Sequence, residues 1–249
     1  MLNKKIKKIK SVMKDEGEGA MVKRLFPTEN YNGHHDPFVL MDEFFVDPPN
    51  SFPAHEHRGF EAITYMLEGS FRHEDNEGNK AEVGPGGVQA FNAGRSIVHS
   101  EAPGSDKGSH GIQLWINLPA DKKMSDPEYQ QIKAGDIHEN FINEKTNIRT
   151  IVGKESSLKL HTEISYLDIK LPVNELYEYS LPDNYKGIIY VIKGKLLDED
   201  NNFNITDGEG LLIDEGIKLK LKTLSDTRFI ELKGKPHGYD IKIKGSFVE

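Results

Sequence analysis

TYMLEGSFRHEDNEGNKAEVGPGGV, residues 64–88, runs from an apolar strand through a glycine to a second strand, an acidic turn and a third strand ending in a glycine-rich loop. IYVIKGKLLDEDNNFNITDGEGLL, residues 189–212, repeats that order later in the chain. A duplicated barrel unit leaves such an echo. Other short apolar or alternating segments surround the two copies. They are FEAITYML (60–67), GVQAFNA (87–93) and HGIQLWINL (110–118) around the first, and YLDIKL (166–171), GIIYVIKG (187–194) and FIELKG (229–234) around the second. Turn formers in EDNEGNK, GPGG, PDNYKG and DEDNN separate the segments. Many short strands with little helical periodicity predict an all-β chain built as sandwiches or barrels.

One segment reads differently. SDPEYQQIK (125–133) predicts a short helix, with Asp126 as N-cap, Pro127 in the first turn and Glu128 near the positive end of the dipole. It lies in a polar, weakly periodic stretch from Pro119 to about Asn147, which reads as a linker between two β domains. The expected division is 1–132 and 133–249.

At 249 residues the chain can bury one large core or two modest ones. A formal net charge of −8 argues against nucleic-acid binding through a general basic field. The local exception, KKIKKIK (4–10), reads as an exposed strand with Ile6 and Ile9 partly buried and lysines guarding an edge. No cysteine is present, so a bound metal must be held by nitrogen and oxygen. The opening MLNKKIKKIKSVMKDEGEG lacks the apolar core of a signal peptide, and no stretch approaches a membrane span. The expectation is a cytoplasmic protein that binds neither membrane nor nucleic acid.

The densest chemistry lies in PAHEHRGFE (53–61). Alternate residues of a strand face one way, so His55 and His57 share a side. AGRSIVHSE (93–101) repeats the spacing with His99 and Glu101. Two neighbouring strands would then present three imidazoles and a carboxylate to one barrel interior, a set suited to one metal ion. Glu61 keeps the parity of the first pair and is a rival to Glu101, unless a bulge at Gly59 turns it elsewhere. Spacing alone leaves the two glutamates open.

The remaining histidines read as structural. His34 and His35 are expected in a solvated loop, His73 is expected to face solvent on a hairpin, and His110 is expected as a satisfied core or rim residue. Nothing is assigned to His138, His161 or His237. GPGG (84–87) lacks the setting of a phosphate loop.

DPFVLMDEFF (36–45), FPAHEHRGFEAITYMLEGSFRHEDNEGN (52–79), VGPGGVQAFNAGRSIVHSEAP (83–103) and HGIQLWINLP (110–119) closely resemble the pirin family of bicupins. DKKMSDPEYQ (121–130) and GKPHGYDIKIKGSFVE (234–249) extend the resemblance over nearly the whole chain, most strongly through about residue 131. It implies two stacked antiparallel β-barrels (double-stranded β-helices): a metal-binding N-terminal cupin and a degenerate C-terminal cupin without a metal site. It implies the ligand set His55, His57, His99 and Glu101, favouring Glu101 over the Glu61 of the general cupin pattern, and one divalent ion, Fe(II). Three features depart from the family. Gly87 stands where an acidic residue is usual, Ser96 stands where glycine is usual, and many relatives continue beyond GSFV with a tail that would close over the groove or support a dimer.

The implied activity is a quercetin 2,3-dioxygenase-type oxidation of a flavonol by O2, with Glu101 as base for the substrate hydroxyl. Phe44, Phe60, Phe91 and Trp115 are apolar candidates for the pocket wall. The alternative is a non-catalytic, redox-responsive regulator that binds a transcription factor or a metabolic enzyme.

Overall fold

The computed structural model describes residues 5–143 and 146–249, which lie mostly in short antiparallel strands. Lys4 of the basic run and Glu144 and Lys145 of the linker lie outside the described residues. The chain divides into two compact units. One comprises Val12–Ile137, Ser157–Thr162 and His237–Glu249; the other comprises the described residues up to Ser11, His138–Ser156 and Glu163–Pro236.

The first unit is a barrel of two sheets. Its seven-stranded sheet runs in the order Glu128–Ile132, Val88–Asn92, Phe60–Glu68, Ser109–Asn117, Phe38–Val46, Ala20–Phe26, Val12–Glu16. The four-stranded sheet runs Phe52–His57, Ile97–Pro103, Phe71–Asp75, Lys80–Val83. The second unit repeats the plan. Its seven strands are ordered Ile6–Lys10, Glu209–Ile213, Lys186–Lys193, Thr227–Gly234, Ile164–Leu171, Thr146–Val152, His138–Asn143, and its four are Leu176–Ser180, Lys218–Thr223, Lys195–Asp198, Phe203–Thr206. The sequence echo is therefore a topological duplication, strand for strand in the four-stranded sheets.

The copies differ at one edge of each larger sheet. Ile6–Lys10 pairs with Glu209–Ile213 in the second barrel, with Ile6 and Ile9 buried and Lys8 paired to Glu209 at 2.7 Å. This is the expected lysine-bearing edge strand, closing a barrel formed by residues far along the chain. In the first barrel the corresponding edge is filled by Glu128–Ile132, which pairs antiparallel with Val88–Asn92. The expected helix over 125–133 is replaced by the strand Glu128–Ile132, and among the described residues the linker's helical content is two single 3-10 turns, Ala120–Lys122 and Ala134–Asp136. An N-cap contributes about 1 kcal/mol, and a nine-residue helix is too short to persist alone. Against that stand a five-residue ladder on an open sheet edge and burial of Ile132, itself about 2 kcal/mol. Asp126, freed from capping, pairs with Arg95. Among the described residues no helix is long and apolar enough to cross a membrane.

The observed partition therefore differs from a single cut between residues 132 and 133. The first barrel takes back residues 157–162 and 237–249, and the second takes the N-terminal strand. Val248 and Ile241 join the buried cluster of Phe60, Phe91 and Ile97. Lys123 ties this end down by donating to Gly59 O at 2.9 Å, Asn117 Oδ1 at 2.7 Å and Val248 O at 3.1 Å.

Gly59 interrupts the chain between Phe52–His57 and Phe60–Glu68 with φ +80°, and a Cβ there would meet Val248 O at 2.0 Å. Gly78 has a similar φ of +91°, but a Cβ at that position would meet nothing within 4 Å. Gly78→Ala is expected to cost about 1–2 kcal/mol from backbone strain alone, and Gly59→Ala clearly more, because the terminal strand must also move. Urea unfolding of the two variants measures the difference; equal losses would show that the close approach of Val248 adds no cost.

Candidate metal centre

Strand pairing brings the two sequence pairs together. His99 lies opposite His55 and Ile97 opposite His57, and the register slips before Glu101. The donor atoms of His55, His57 and His99 lie within 4.8 Å of one another, and His99 Nε2 is 3.2 Å from His55 Nε2. Two imidazoles on one ion at about 2.0–2.1 Å, at angles between square and tetrahedral, place their nitrogens about 2.9–3.4 Å apart. The observed spacing fits.

Hydrogen-bond partners assign the tautomers. His55 Nδ1 is 2.7 Å from Pro53 O and His57 Nδ1 is 3.3 Å from Ser246 O. A carbonyl oxygen only accepts, so each Nδ1 carries the proton and each Nε2 keeps its lone pair. Burial keeps His57 and His99 neutral. It pushes His57 down to about 3, with help from neighbouring His55, and holds His99 well below the usual histidine range, with help from His57, His55 and His73. A cluster of neutral, inward-facing imidazole lone pairs is a donor set for a divalent cation.

Glu101 lies beside this group. It is buried, accepts from Gln89 Nε2 at 2.8 Å, and has Thr64 Oγ1 at 3.5 Å. Its donor oxygen falls within 4.8 Å of those of His73 and His99, and it lines the same cavity as His55 and His57. Burial raises its carboxyl to about 7 against the lowering effect of Gln89 and Thr64.

Glu61 is directed elsewhere. The left-handed turn at Gly59 breaks the parity of the HEH strand. Glu61 accepts the backbone N–H groups of His161 at 2.7 Å and Thr162 at 3.1 Å, and lines a separate cavity of about 130 Å³.

His73 is the residue that sequence reading misplaced. Expected to face solvent, it is fully buried, with Nδ1 3.2 Å from His99 Nδ1 and Nε2 3.0 Å from Asp75 Oδ2. The signal was available: on FRHED the inward residues alternate from Phe71 to His73, and the strand lies directly against Ile97–Pro103. His35 is also buried rather than solvated, its backbone N–H donating to Phe38 O. His110 is a satisfied rim histidine, stacked on Phe45 and 2.8 Å from Glu43 Oε1.

His55 and His57 open on a cavity of about 600 Å³. Phe44 and Trp115 line it, as expected, together with Phe52 and Phe71. Phe60 and Phe91 instead pack against His57, at ring separations of 5.0 and 5.7 Å. The terminal hairpin contributes Ile243, Gly245 and Ser246 to the wall. Ser96 donates to Glu56 at 2.7 Å, next to the ligand strand. In the second barrel, Tyr177 pairs with Leu221 and Tyr179 with Leu219 where the first barrel pairs His55 with His99 and His57 with Ile97. Tyr179, Leu219 and Leu221 are packed into that barrel's apolar core.

Comparison with known proteins agrees with this architecture. The family model described as Pirin matches residues 19–116, and that of the Pirin C-terminal cupin domain matches 166–249. A pirin-like protein of Solanum lycopersicum is 34% identical over 98% of this chain and 85% of its own length. Human pirin is 34% identical over 94% of this chain and 83% of its own. A quercetin 2,3-dioxygenase from Acinetobacter baumannii superposes with a TM-score of 0.88 at 26% identity, covering 97% of this chain and 90% of that one. The bacterial pirin YhhW of Escherichia coli, solved with nickel(II), shares the fold with a TM-score of 0.76 at 22% identity, covering 93% and 99% of the two chains. With both halves matched by its family models and full-length relatives at a third identity, this bicupin chain belongs to the pirin family.

Proposed function

We propose that His55, His57, His99 and Glu101 hold one divalent cation, Fe(II), and that the cavity above it admits a flat aromatic substrate for a dioxygenase reaction of the quercetin 2,3-dioxygenase type. The observation that carries this reading is the convergence of imidazole Nε2 lone pairs at the foot of a 600 Å³ cavity walled by Phe44, Phe52 and Trp115. The likeness to a quercetin 2,3-dioxygenase supports the substrate class. When bound, the ion supplies a Lewis-acid and redox centre open to substrate and O2.

The chain's own residues do the rest. Pro53 O and Ser246 O hold the Nδ1 protons of His55 and His57, which keeps both Nε2 atoms aimed inward. Gln89 holds Glu101 Oε1, and Oε2 would take the substrate hydroxyl proton once the carboxylate loosens from the cation. Aromatic walls exclude water and fit a planar ring system. The non-catalytic regulator uses the same ligands without turnover, so one experiment separates the two readings.

Metal-free protein loaded anaerobically with Fe(II), then given quercetin and O2, is expected to bleach the flavonol absorbance and release carbon monoxide. Absence of turnover with every divalent metal supplied would leave only the regulatory reading. His99→Ala is expected to weaken cation binding by at least tenfold, measured by equilibrium dialysis, because it removes one of three mutually close donors.

Cation binding to the metal-free protein also has a proton signature. Between His57, down to about 3, and Glu101, up to about 7, the carboxyl is the group that gives up a proton to the cation near neutrality. Affinity is expected to rise with pH up to about 7 and then level off. Calorimetry in buffers of different ionisation enthalpy is expected to find close to one proton released at about pH 6 and little at about pH 8.5. Glu101→Gln is expected to abolish the difference; a variant that retains it would place the proton elsewhere.

A further inference from the structure

His99 differs from the other two imidazoles in how its Nδ1 is held. Its partner is a third buried ring, His73 Nδ1 at 3.2 Å, and His73 Nε2 lies 3.0 Å from Asp75 Oδ2. We propose that His99, His73 and Asp75 form a hydrogen-bonded relay in which His73 and Asp75 are positioning residues that fix the tautomer of His99 and strengthen its Nε2 as a donor. This inference rests on the metal reading of the same site.

Proton counting determines the direction of every bond. Asp75 Oδ1 accepts from Glu77 N at 3.0 Å, Asn79 N at 2.9 Å and Asn79 Nδ2 at 3.1 Å, and Oδ2 accepts from Asn79 Nδ2 at 2.8 Å. A carboxylate so surrounded by N–H donors is ionised and can only accept from His73 Nε2–H. His99 Nε2 faces His55 Nε2 at 3.2 Å, and the metal reading keeps a lone pair there. His99 therefore carries its proton on Nδ1 and donates it to His73 Nδ1, while the His73 proton sits on Nε2 toward Asp75. Each nitrogen has one assignment.

Packing holds the relay rigid. His73 stacks on Tyr129 with centroids 4.5 Å apart, and Phe91 lies 6.2 Å away. Tyr129 also donates from its hydroxyl to Gln89 Oε1 at 3.1 Å, and Gln89 donates to Glu101. One tyrosine on the edge strand therefore steadies both His99 and Glu101 through intermediates. A carboxylate behind an imidazole raises its donor strength and favours the higher charge of a bound ion.

The competing arrangement is a second ion among His73, His99 and Glu101, whose donors also lie within 4.8 Å of one another. These three residues are all buried, and His73 is fully committed in the relay.

The test uses His73→Leu, which removes the acceptor, and His73→Asn, whose amide oxygen falls near the position of Nδ1 and can replace it. Asp75→Asn keeps an acceptor oxygen for the Oδ1 turn contacts and removes both the charge and the acceptor that faces His73 Nε2. Zn(II) affinity is expected to fall about tenfold to a hundredfold in His73→Leu and to recover largely in His73→Asn. For the iron form, the Fe(III)/Fe(II) potential is expected to rise in Asp75→Asn. Unfolding of the metal-free variants serves as the control for a merely structural effect. Long-range 1H–15N spectra of metal-free and Zn(II)-loaded protein are expected to show His73 protonated at Nε2 and His99 at Nδ1. The opposite tautomer, unchanged affinity in His73→Leu, or two ions per chain with one lost in that variant would each overturn the relay. Wild-type protein that binds no cation would instead defeat the metal reading, and the metal-free tautomers would still decide the relay.

Discussion

Imidazole lone pairs forced to face one another away from water are the constraint around which the first barrel is organised. Lone pairs at 3.2 Å repel unless a proton or a cation lies between them, and burial disfavours a second, charging proton on His99. A divalent ion at that position would resolve the conflict without a further proton on the rings. The barrel therefore has to supply acceptors for the outward-facing nitrogens, and each comes from a different level of structure. Pro53 is two residues away, Ser246 comes from the far end of the chain, and His73 comes from the adjacent strand.

Elements remote in sequence follow from that requirement. The terminal hairpin sits against the ligand strand because Gly59 lets Val248 approach and Lys123 binds three oxygens at their junction. Burial lowers Lys123 to about 8 against the raising effect of Glu249, so holding this corner carries an electrostatic cost. The edge strand Glu128–Ile132 brings Tyr129 over His73 and toward Gln89. A segment whose local signals favour a helix is thus a support for two candidate ligands.

The second barrel shows the same topology with a different interior. Tyr177, Tyr179, Leu219 and Leu221 take the strand positions that hold His55, His57, Ile97 and His99 in the first. Tyr179, Leu219 and Leu221 pack into that barrel's apolar core, and the Tyr177 hydroxyl donates to Glu231 Oε2 at 2.7 Å. Duplicated scaffolds can diverge in this way because side chains on alternate strand positions change the interior without changing the ladder.

Period-two alternation and the repeated strand–turn pattern were readable in the sequence, and they determined the all-β duplication and the pairing of His55 with His57 and His99 with Glu101. Those signals are local: a strand's parity is a property of five or six residues. The partner of each strand is not local, so only the tertiary structure could decide that residues 128–132 extend a sheet, that residues 6–10 close the second barrel and that Ile243, Gly245 and Ser246 wall the cavity. The same holds for Glu61 against Glu101. One glycine with positive φ reversed the parity, and the backbone amides of His161 and Thr162 claimed the carboxylate. His73 lay between the two cases, its inward parity written in FRHED but its meaning set by the neighbouring strand that carries His99.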